Sequence, residues 1–208
     1  MFLNLQNLWH LFWQQALKTN WLQWTAVILG IMEVLFAKAN KIWLYPTGII
    51  GTLLSIYLFY ETGLFAESLL NGYFVLMSVY GWWFWIKKKN KRSVKPSYST
   101  RKEWTMAICI ILGSFIILAF TLNNFTSSTV PFWDAWISAT AWAGMWLLAK
   151  RKIENWILLN ISNAFAILLL IYKQLPLYAG LTIFLFFIAI QGYFQWKKII
   201  FPLVPTRM

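Results

Sequence analysis

The chain is poor in the side chains that most catalytic and metal sites use. Its 208 residues include one cysteine, one histidine and 6 acidic residues, against 18 basic ones. Because Cys109 stands alone, it cannot form a disulfide within the chain, and no cluster of cysteine and histidine predicts a metal site. The single histidine, His10, has no acid or cysteine beside it in the sequence. We therefore expect no enzyme activity, no metal and no cofactor.

Apolar residues are abundant instead. They make up 60% of the chain, and aromatic residues alone reach 20%, which is more than a typical water-soluble domain carries. A helix needs about 20 mainly apolar residues to cross a membrane. Seven windows of roughly this length are present, at 21–38, 42–60, 64–86, 104–122, 132–149, 154–172 and 177–196. The sequence therefore predicts an all-α integral membrane protein with seven transmembrane helices.

These windows fall into a repeat. Residues 80–85 (YGWWFW) and 191–196 (QGYFQW) each close one copy, about 112 residues apart, and lysines follow both. Duplication of this kind is typical of membrane bundles, so we predict a 3+1+3 arrangement of two parallel three-helix repeats joined by a linker helix. The predicted segments are a surface amphipathic helix (1–20), the first repeat (21–86), a basic cytoplasmic loop (87–103), the linker helix (104–122), the second repeat (131–198) and a C-terminal tail (199–208).

The net charge of +12 is concentrated at the predicted helix ends, which argues against nucleic acid as a partner. With the N-terminus placed outside, every basic residue except Lys18 and Lys173 falls on the inner side. Short basic loops stay in the cytoplasm, so we predict an outside N-terminus and a cytoplasmic C-terminus. Within the loop 87–103, residues 87–97 are predicted to be mobile and to fix this orientation, or alternatively to bind anionic membrane lipid or nucleic acid.

One carboxylate falls well inside a predicted membrane span. A charge at that depth is costly unless it is paired or faces water. Glu33 lies in the inner half of the first transmembrane helix. It is therefore predicted to be a counter-charge for a cationic solute, a pore-lining acceptor, or an ion-pair partner of Lys38 or Lys41.

Neutral polar side chains mark the third and sixth predicted transmembrane helices. Asn160 and Asn163 are three residues apart, which places them on one helix face. Asn71, Ser78 and Tyr80 line the third helix, and Asn71 and Ser78, seven residues apart, share a stripe. Each amide could simply bond to a neighbouring helix. Their joint occurrence in both repeats favours a polar solute site between the repeats.

The 15 tryptophans have two possible roles. Seven of them are predicted to lie in belts at the membrane interfaces, and they are Trp9, Trp13, Trp21, Trp82, Trp83, Trp133 and Trp196. Trp43 and Trp156 occupy places that we take as equivalent in the two repeats, near the inner ends of the second and sixth helices. They are predicted either to stack a flat or cationic ring or to belong to the inner belt.

Four short motifs, taken in order, resemble the PnuC family of nicotinamide riboside transporters. They are residues 40–50 (NKIWLYPTGII), 80–83 (YGWW), 131–135 (PFWDA) and 154–156 (ENW). The resemblance covers about residues 21–198. It implies a fold similar to the SWEET sugar transporters, assembly as a homotrimer and a place in the bacterial inner membrane. It also implies facilitated diffusion of a vitamin without ion coupling, with trapping by a separate cytoplasmic kinase.

The resemblance also implies substrate contacts. The family's amide on the third helix falls on Asn71, and its first aromatic residue and its amide on the sixth helix fall on Trp156 and Asn163. A second tryptophan of the family is replaced here by Leu159.

The predicted function is thus nicotinamide riboside uniport, and the alternative is a thiamine transporter of the same fold. We expect the ring to stack on Trp156 and to bond to Asn71 and Asn163. The ribose is expected to reach Asn160, Ser78 or Asn40.

Overall fold

The computed structural model describes residues 5–61, 65–89, 95–126 and 128–202. Predicted features at 1–4, 90–94 and 203–208 lie outside the described residues. Within them the chain forms eight helices: α1 (Leu5–Lys18), α2 (Trp21–Lys38), α3 (Leu44–Glu61), α4 (Phe65–Lys89), α5 (Arg101–Phe125), α6 (Pro131–Ala149), α7 (Asn155–Tyr172) and α8 (Pro176–Ile200).

Each of the seven apolar windows coincides with one of the helices α2 to α8. The prediction of an all-helical chain is confirmed, although α5 extends three residues beyond the predicted linker helix at each end. Helix starts follow local chemistry, since Asn20 and Thr100 form capping boxes at α2 and α5 and proline begins α6 and α8. Among the described helices, α2, α5, α7 and α8 are long and apolar enough to cross a membrane.

The helices pack as two bundles, α2 to α4 and α6 to α8. The bundles meet along two seams, where α2 packs against α8 and α4 packs against α6. Helix α5 packs on α6, and α1 packs on α8. Gln15 of α1 donates from Nε2 to the carbonyl oxygen of Gln174 at 2.9 Å, so α1 is tied to the α7–α8 turn. The two seams enclose the space in which a site between repeats would lie.

The duplication has a spacing of 111 residues. Leu44 and Asn155, which begin α3 and α7, are 111 residues apart, and so are Phe65 and Pro176, which begin α4 and α8. The paired helices have equal lengths, 18 residues for α3 and α7 and 25 for α4 and α8. The helices of the two bundles therefore correspond in pairs at this spacing.

This spacing corrects the equivalence that we drew between two tryptophans. Trp156 is 111 residues after Tyr45, not after Trp43. Because two residues rotate a helical position by about 200°, the two tryptophans face different surroundings. Trp43 is 61% exposed, whereas Trp156 and Tyr45 are both buried.

The second half of the basic loop is held in place by hydrogen bonds, so the prediction of a mobile segment at 87–97 is wrong for residues 95–97. The backbone N–H of Ser97 donates to the Arg151 carbonyl oxygen at 3.1 Å, and Ile153 N–H donates to the Ser97 carbonyl oxygen at 3.0 Å. The Ser99 hydroxyl donates to the Glu154 carboxylate at 2.7 Å. The loop is thereby fastened across the turn between α6 and α7.

We call the end of the bundles that carries the α2–α3 and α6–α7 turns the basic end, after Lys38, Lys41, Lys150 and Lys152. An apolar cluster fills this end between the repeats. Trp196 belongs to the cluster, is fully buried, and donates from Nε1 to the Ala37 carbonyl oxygen at 2.9 Å. Its predicted place in an interfacial belt is therefore wrong, because it bonds across the α2–α8 seam.

Candidate functional site

A cavity of about 220 Å³ lies between the two bundles. All six bundle helices contribute to its wall. Its polar groups are the carboxylate of Glu33, the hydroxyl of Thr52 and the amide of Asn163, and the ring of Trp156 completes one side. The rest of the wall is apolar. The wall thus combines one carboxylate, one amide, one hydroxyl and the almost fully buried ring of Trp156.

The two repeats contribute equivalent positions to this wall. Four pairs of lining residues are 111 residues apart, and they are Val34 with Met145, Ala37 with Leu148, Thr52 with Asn163, and Phe74 with Leu185. Since equivalent side chains from the two repeats line the same space, the cavity lies on the axis that relates one repeat to the other.

Two positions break the symmetry by exchanging large and small residues. Glu33 on α2 packs over Gly48 on α3, where any Cβ would overlap the carboxylate. In the other repeat the large residue is Leu159 on α7, which packs over Gly144 on α6, where a Cβ would lie 2.9 Å from Leu159 Cδ2. One repeat therefore projects a carboxylate into the cavity and the other projects a branched alkyl group.

Glu33 has no cationic partner within the part of the chain that the structure describes. The ion pairs there join Lys152 to Glu103 and Lys173 to Asp134. Lys38, one of the two partners considered from the sequence, instead donates to Gln191 across the α2–α8 seam. The carboxylate is left facing the cavity, as the counter-charge interpretation requires.

Trp156 is fixed by tight packing. Its ring meets Trp196 edge to face, with ring centroids 5.5 Å apart and an interplanar angle of 83°. A Cβ at Gly192 would lie 2.7 Å from the indole ring, so the glycine makes room for it. The indole Nε1 is buried and has no hydrogen-bond acceptor among the described residues. Packing against Trp196 and Gly192 therefore fixes the ring at the edge of the cavity.

Three of the predicted site residues, Glu33, Trp156 and Asn163, are brought together in this cavity. Asn160 does not line this cavity. It lines a groove between α7 and α8, which shares Trp156 and Ala189 with the cavity. Three residues along a helix leave side chains about 60° apart. That angle is enough for Asn163 to face the cavity while Asn160 faces the groove, although both were predicted on one helix face.

The other predicted site residues do not line the cavity. Ser78 is buried on α4, Tyr80 contacts the rings of Trp83 and Phe84, and Trp43 lies at the surface. Asn40 lies in the α2–α3 turn, and half-buried Asn71 is on α4.

Thr52 was not among the residues predicted from the sequence. It stands 111 residues before Asn163, so the correct repeat spacing applied to that asparagine would have found it.

A larger cavity of about 680 Å³ begins on the side away from the basic end. Ile31, Ser55 and Leu181 line it. Each of them is three or four residues, about one helical turn, from a residue of the central cavity on the same helix. The two cavities therefore follow one another along α2, α3 and α8.

Comparison with known proteins agrees with this architecture. Residues 20–198 match the family described as nicotinamide mononucleotide transporter. The chain is 24% identical over 204 residues to the nicotinamide riboside transporter PnuC of Escherichia coli (strain K12), with 85% of each chain covered, and the PnuC of Shigella flexneri gives the same figures. A crystal structure of the vitamin B3 transporter PnuC has a TM-score of 0.70, at 22% identity, over 96% of this chain and 93% of that one.

The match of residues 20–198 includes both bundles and the linker helix between them. It confirms the family resemblance that the four sequence motifs indicated. The solved PnuC structure shows the same fold over nearly the whole of both chains. On this basis, the chain belongs to the nicotinamide mononucleotide transporter family.

Proposed function

We propose that the chain carries nicotinamide riboside across the bacterial inner membrane by facilitated diffusion. The observation that supports this most is the cavity between the repeats, which unites Glu33, Trp156 and Asn163. Nicotinamide riboside combines a positively charged flat ring, a carboxamide and a hydroxylated sugar. The cavity offers a matching group for each of these three features.

The proposed contacts follow from the chemistry of the wall. The Glu33 carboxylate faces the ring charge, and the Trp156 ring stacks on the pyridinium face, an attraction that strengthens when water is excluded. Asn163 bonds to the carboxamide, which can both donate and accept. Thr52, on the opposite side of the cavity, reaches a ribose hydroxyl. We restrict the binding set to these four residues and leave out the predicted residues that lie off the cavity.

The size of the cavity bears on the transport cycle. Sites for small molecules usually measure about 300 to 1,000 Å³, whereas this one is about 220 Å³. The repeats must therefore separate slightly to admit a nucleoside. We propose that they rock against each other along the α2–α8 and α4–α6 seams, so that the cavity opens to one side at a time.

The remaining topology is proposed on the same basis. Helices α2 to α8 span the membrane as 3+1+3, with the N-terminus outside and the basic end in the cytoplasm. Exposed Leu112, Ile116 and Phe120 on α5 suit contact with lipid or with neighbouring protomers of a homotrimer. Transport is uniport, the chain is not an enzyme, and a cytoplasmic kinase traps the riboside by phosphorylation.

Thiamine is the second candidate solute, and one observation favours it. Leu159 lines the cavity at the place where the family carries a second tryptophan, so the aromatic wall is smaller and its shape differs. Glu33 does not distinguish the two solutes, because thiamine is also a permanent cation.

The test is calorimetric titration of the purified protein with nicotinamide riboside and, separately, with thiamine. Heat with the riboside alone supports the proposal, and heat with thiamine alone moves the chain to the second candidate. Asn163→Ala and Asn160→Ala form a matched pair on one helix. We expect about tenfold weaker riboside binding for Asn163→Ala, equivalent to about 1.4 kcal/mol, and little change for Asn160→Ala. Equal losses would show that the cavity is not the binding site.

A further inference from the structure

Arg151 is a buried cation between two aromatic rings. It lies in the α6–α7 turn and is 1% exposed. Its guanidinium carbon is 3.8 Å from the ring centroid of Trp85 and 4.7 Å from that of Trp196. Trp85 is on α4 of the first repeat and Trp196 is on α8 of the second. The guanidinium therefore bridges the two repeats by cation–π contacts.

Hydrogen bonds do not hold this group. Within the described residues, Nε, Nη1 and Nη2 of Arg151 are buried without a hydrogen-bond partner. The Tyr45 hydroxyl is close enough to interact electrostatically with the guanidinium, but its geometry is not that of a hydrogen bond. Buried charges in permanent structural positions are normally paired and bonded. A guanidinium that makes no hydrogen bonds in its buried position regains hydration when it leaves the two rings. Its cation–π contact with Trp85 and Trp196 is therefore suited to breaking.

The Arg151 guanidinium and the two rings around it lie directly beyond the floor of the central cavity. Ala37, Leu148 and Trp156 line that floor and belong to the same apolar cluster as Tyr45 and Trp196. The cluster closes the cavity toward the basic end. Toward the opposite end, the larger cavity begins one helical turn away. A solute in the central cavity could therefore leave at the basic end only if this cluster separates.

The backbone at Arg151 is also unusual. Its φ is 60°, in the left-handed region, and its counterpart 111 residues earlier is Asn40, with φ 55°. Asparagine is among the residues that tolerate this conformation best, whereas a long side chain such as arginine is less favoured. The turn alone would be better served by asparagine in both repeats. Arg151 supplies a guanidinium in the second repeat, whereas Asn40 supplies none in the first.

We propose that Arg151, clamped between Trp85 and Trp196, is the latch that closes the solute path at the basic end. Opening requires the guanidinium to leave the two rings as the repeats separate. This inference rests on the proposed carrier function, but its test uses no solute, so that the two can fail separately.

The experiment measures access to the cavity by thiol labelling. The parent protein carries Thr52→Cys as the reporter and Cys109→Ala to remove the native thiol. A membrane-impermeant methanethiosulfonate with a quaternary ammonium group is applied to each face separately, in right-side-out and inside-out vesicles. Arg151→Gln is compared with Lys150→Gln. Lys150 is a matched control, because its ammonium also lies over an indole ring, 4.4 Å from Trp146, but not between the repeats.

We expect Arg151→Gln to raise the labelling rate from the face that carries the basic end by about tenfold, the shift in the open population that loss of a desolvated cation–π contact gives. Lys150→Gln should label like the parent. An unchanged rate in Arg151→Gln, an equal rise in both variants, or a rise from the opposite face alone would overturn the latch. If Arg151→Gln does not fold, Trp85→Leu, which removes the half-buried ring of the first repeat, decides by the same criteria.

Discussion

Replacing Gly192 by alanine should weaken solute binding through the position of one ring. A Cβ at Gly192 would lie 2.7 Å from Cε2 and Cζ2 of Trp156. Carbon atoms in contact are normally about 3.5 to 4.0 Å apart, so either the ring or α8 must move by about 1 Å. Because Trp156 lines the cavity and also packs on Trp196, the movement changes the face offered to a solute.

The size of the effect follows from two opposing contributions. Overpacking costs about 1 to 3 kcal/mol of stability, while alanine is better than glycine in a helix by about 1 kcal/mol. The net loss of stability should therefore be small, about 1 kcal/mol. Displacement of an aligned stacking surface should lower the affinity for nicotinamide riboside about tenfold, or about 1.4 kcal/mol. Calorimetric titration measures the affinity, and thermal unfolding in detergent measures the stability.

The repeat supplies the control variant. Gly81 is 111 residues before Gly192, and a Cβ there would lie 2.5 Å from Cε1 of Tyr45, the counterpart of Trp156. Gly81→Ala should therefore cost similar stability, but Tyr45 does not line the central cavity, so binding should be retained. If both alanine variants lose affinity equally, or if Gly192→Ala binds normally, then Trp156 does not form the solute surface.

Three further predictions concern charge and stability. Glu33→Gln should weaken binding of nicotinamide riboside about tenfold, about 1.4 kcal/mol, and leave that of the uncharged reduced riboside unchanged in parallel titrations; equal effects on both would exclude a counter-charge role. Trp196→Phe removes the bond to the Ala37 carbonyl oxygen and should lower stability by about 1 to 3 kcal/mol in thermal unfolding. Asp134→Asn, which breaks the partly exposed pair with Lys173 at 2.9 Å, should cost about 1 kcal/mol or less, and an effect as large as that of Trp196→Phe would contradict this ranking.

The helices were predictable because each apolar window is long and most of the window ends lie beside a charge, a proline or a capping residue. The direction in which each side chain points around its helix axis was not predictable to the same degree. An error of one or two residues in the repeat spacing rotates a helical position by about 100° or 200°, and this is why Trp43 was paired with Trp156. A repeat spacing measured between whole helices, as between Leu44 and Asn155, removes the error. A spacing taken from scattered lysines and tyrosines does not.

The kinds of side chain that line the candidate site were predictable from the sequence, but the particular residues that line it were less so. Glu33 and Asn163 were singled out because a charge and an amide are unusual inside a membrane helix. Trp156 was singled out through the family resemblance and through its supposed equivalence with Trp43. Asn160 has the same chemistry as Asn163 but faces another groove. Arg151 was counted only as one of several basic residues at a helix end. Its burial depends on Trp85, which is distant in sequence, and no local pattern reports such a contact.

The exchange of large and small residues at Glu33 and Gly144 has a consequence for how such a carrier can arise. An assembly of two identical three-helix chains would hold either two carboxylates at this level of the cavity or none. Two carboxylates at close range resist joint ionisation, and none would leave a cationic solute without a partner. Joining the two copies in one chain allows their sequences to diverge, and a single negative charge, matched to a solute with a single positive charge, then becomes possible.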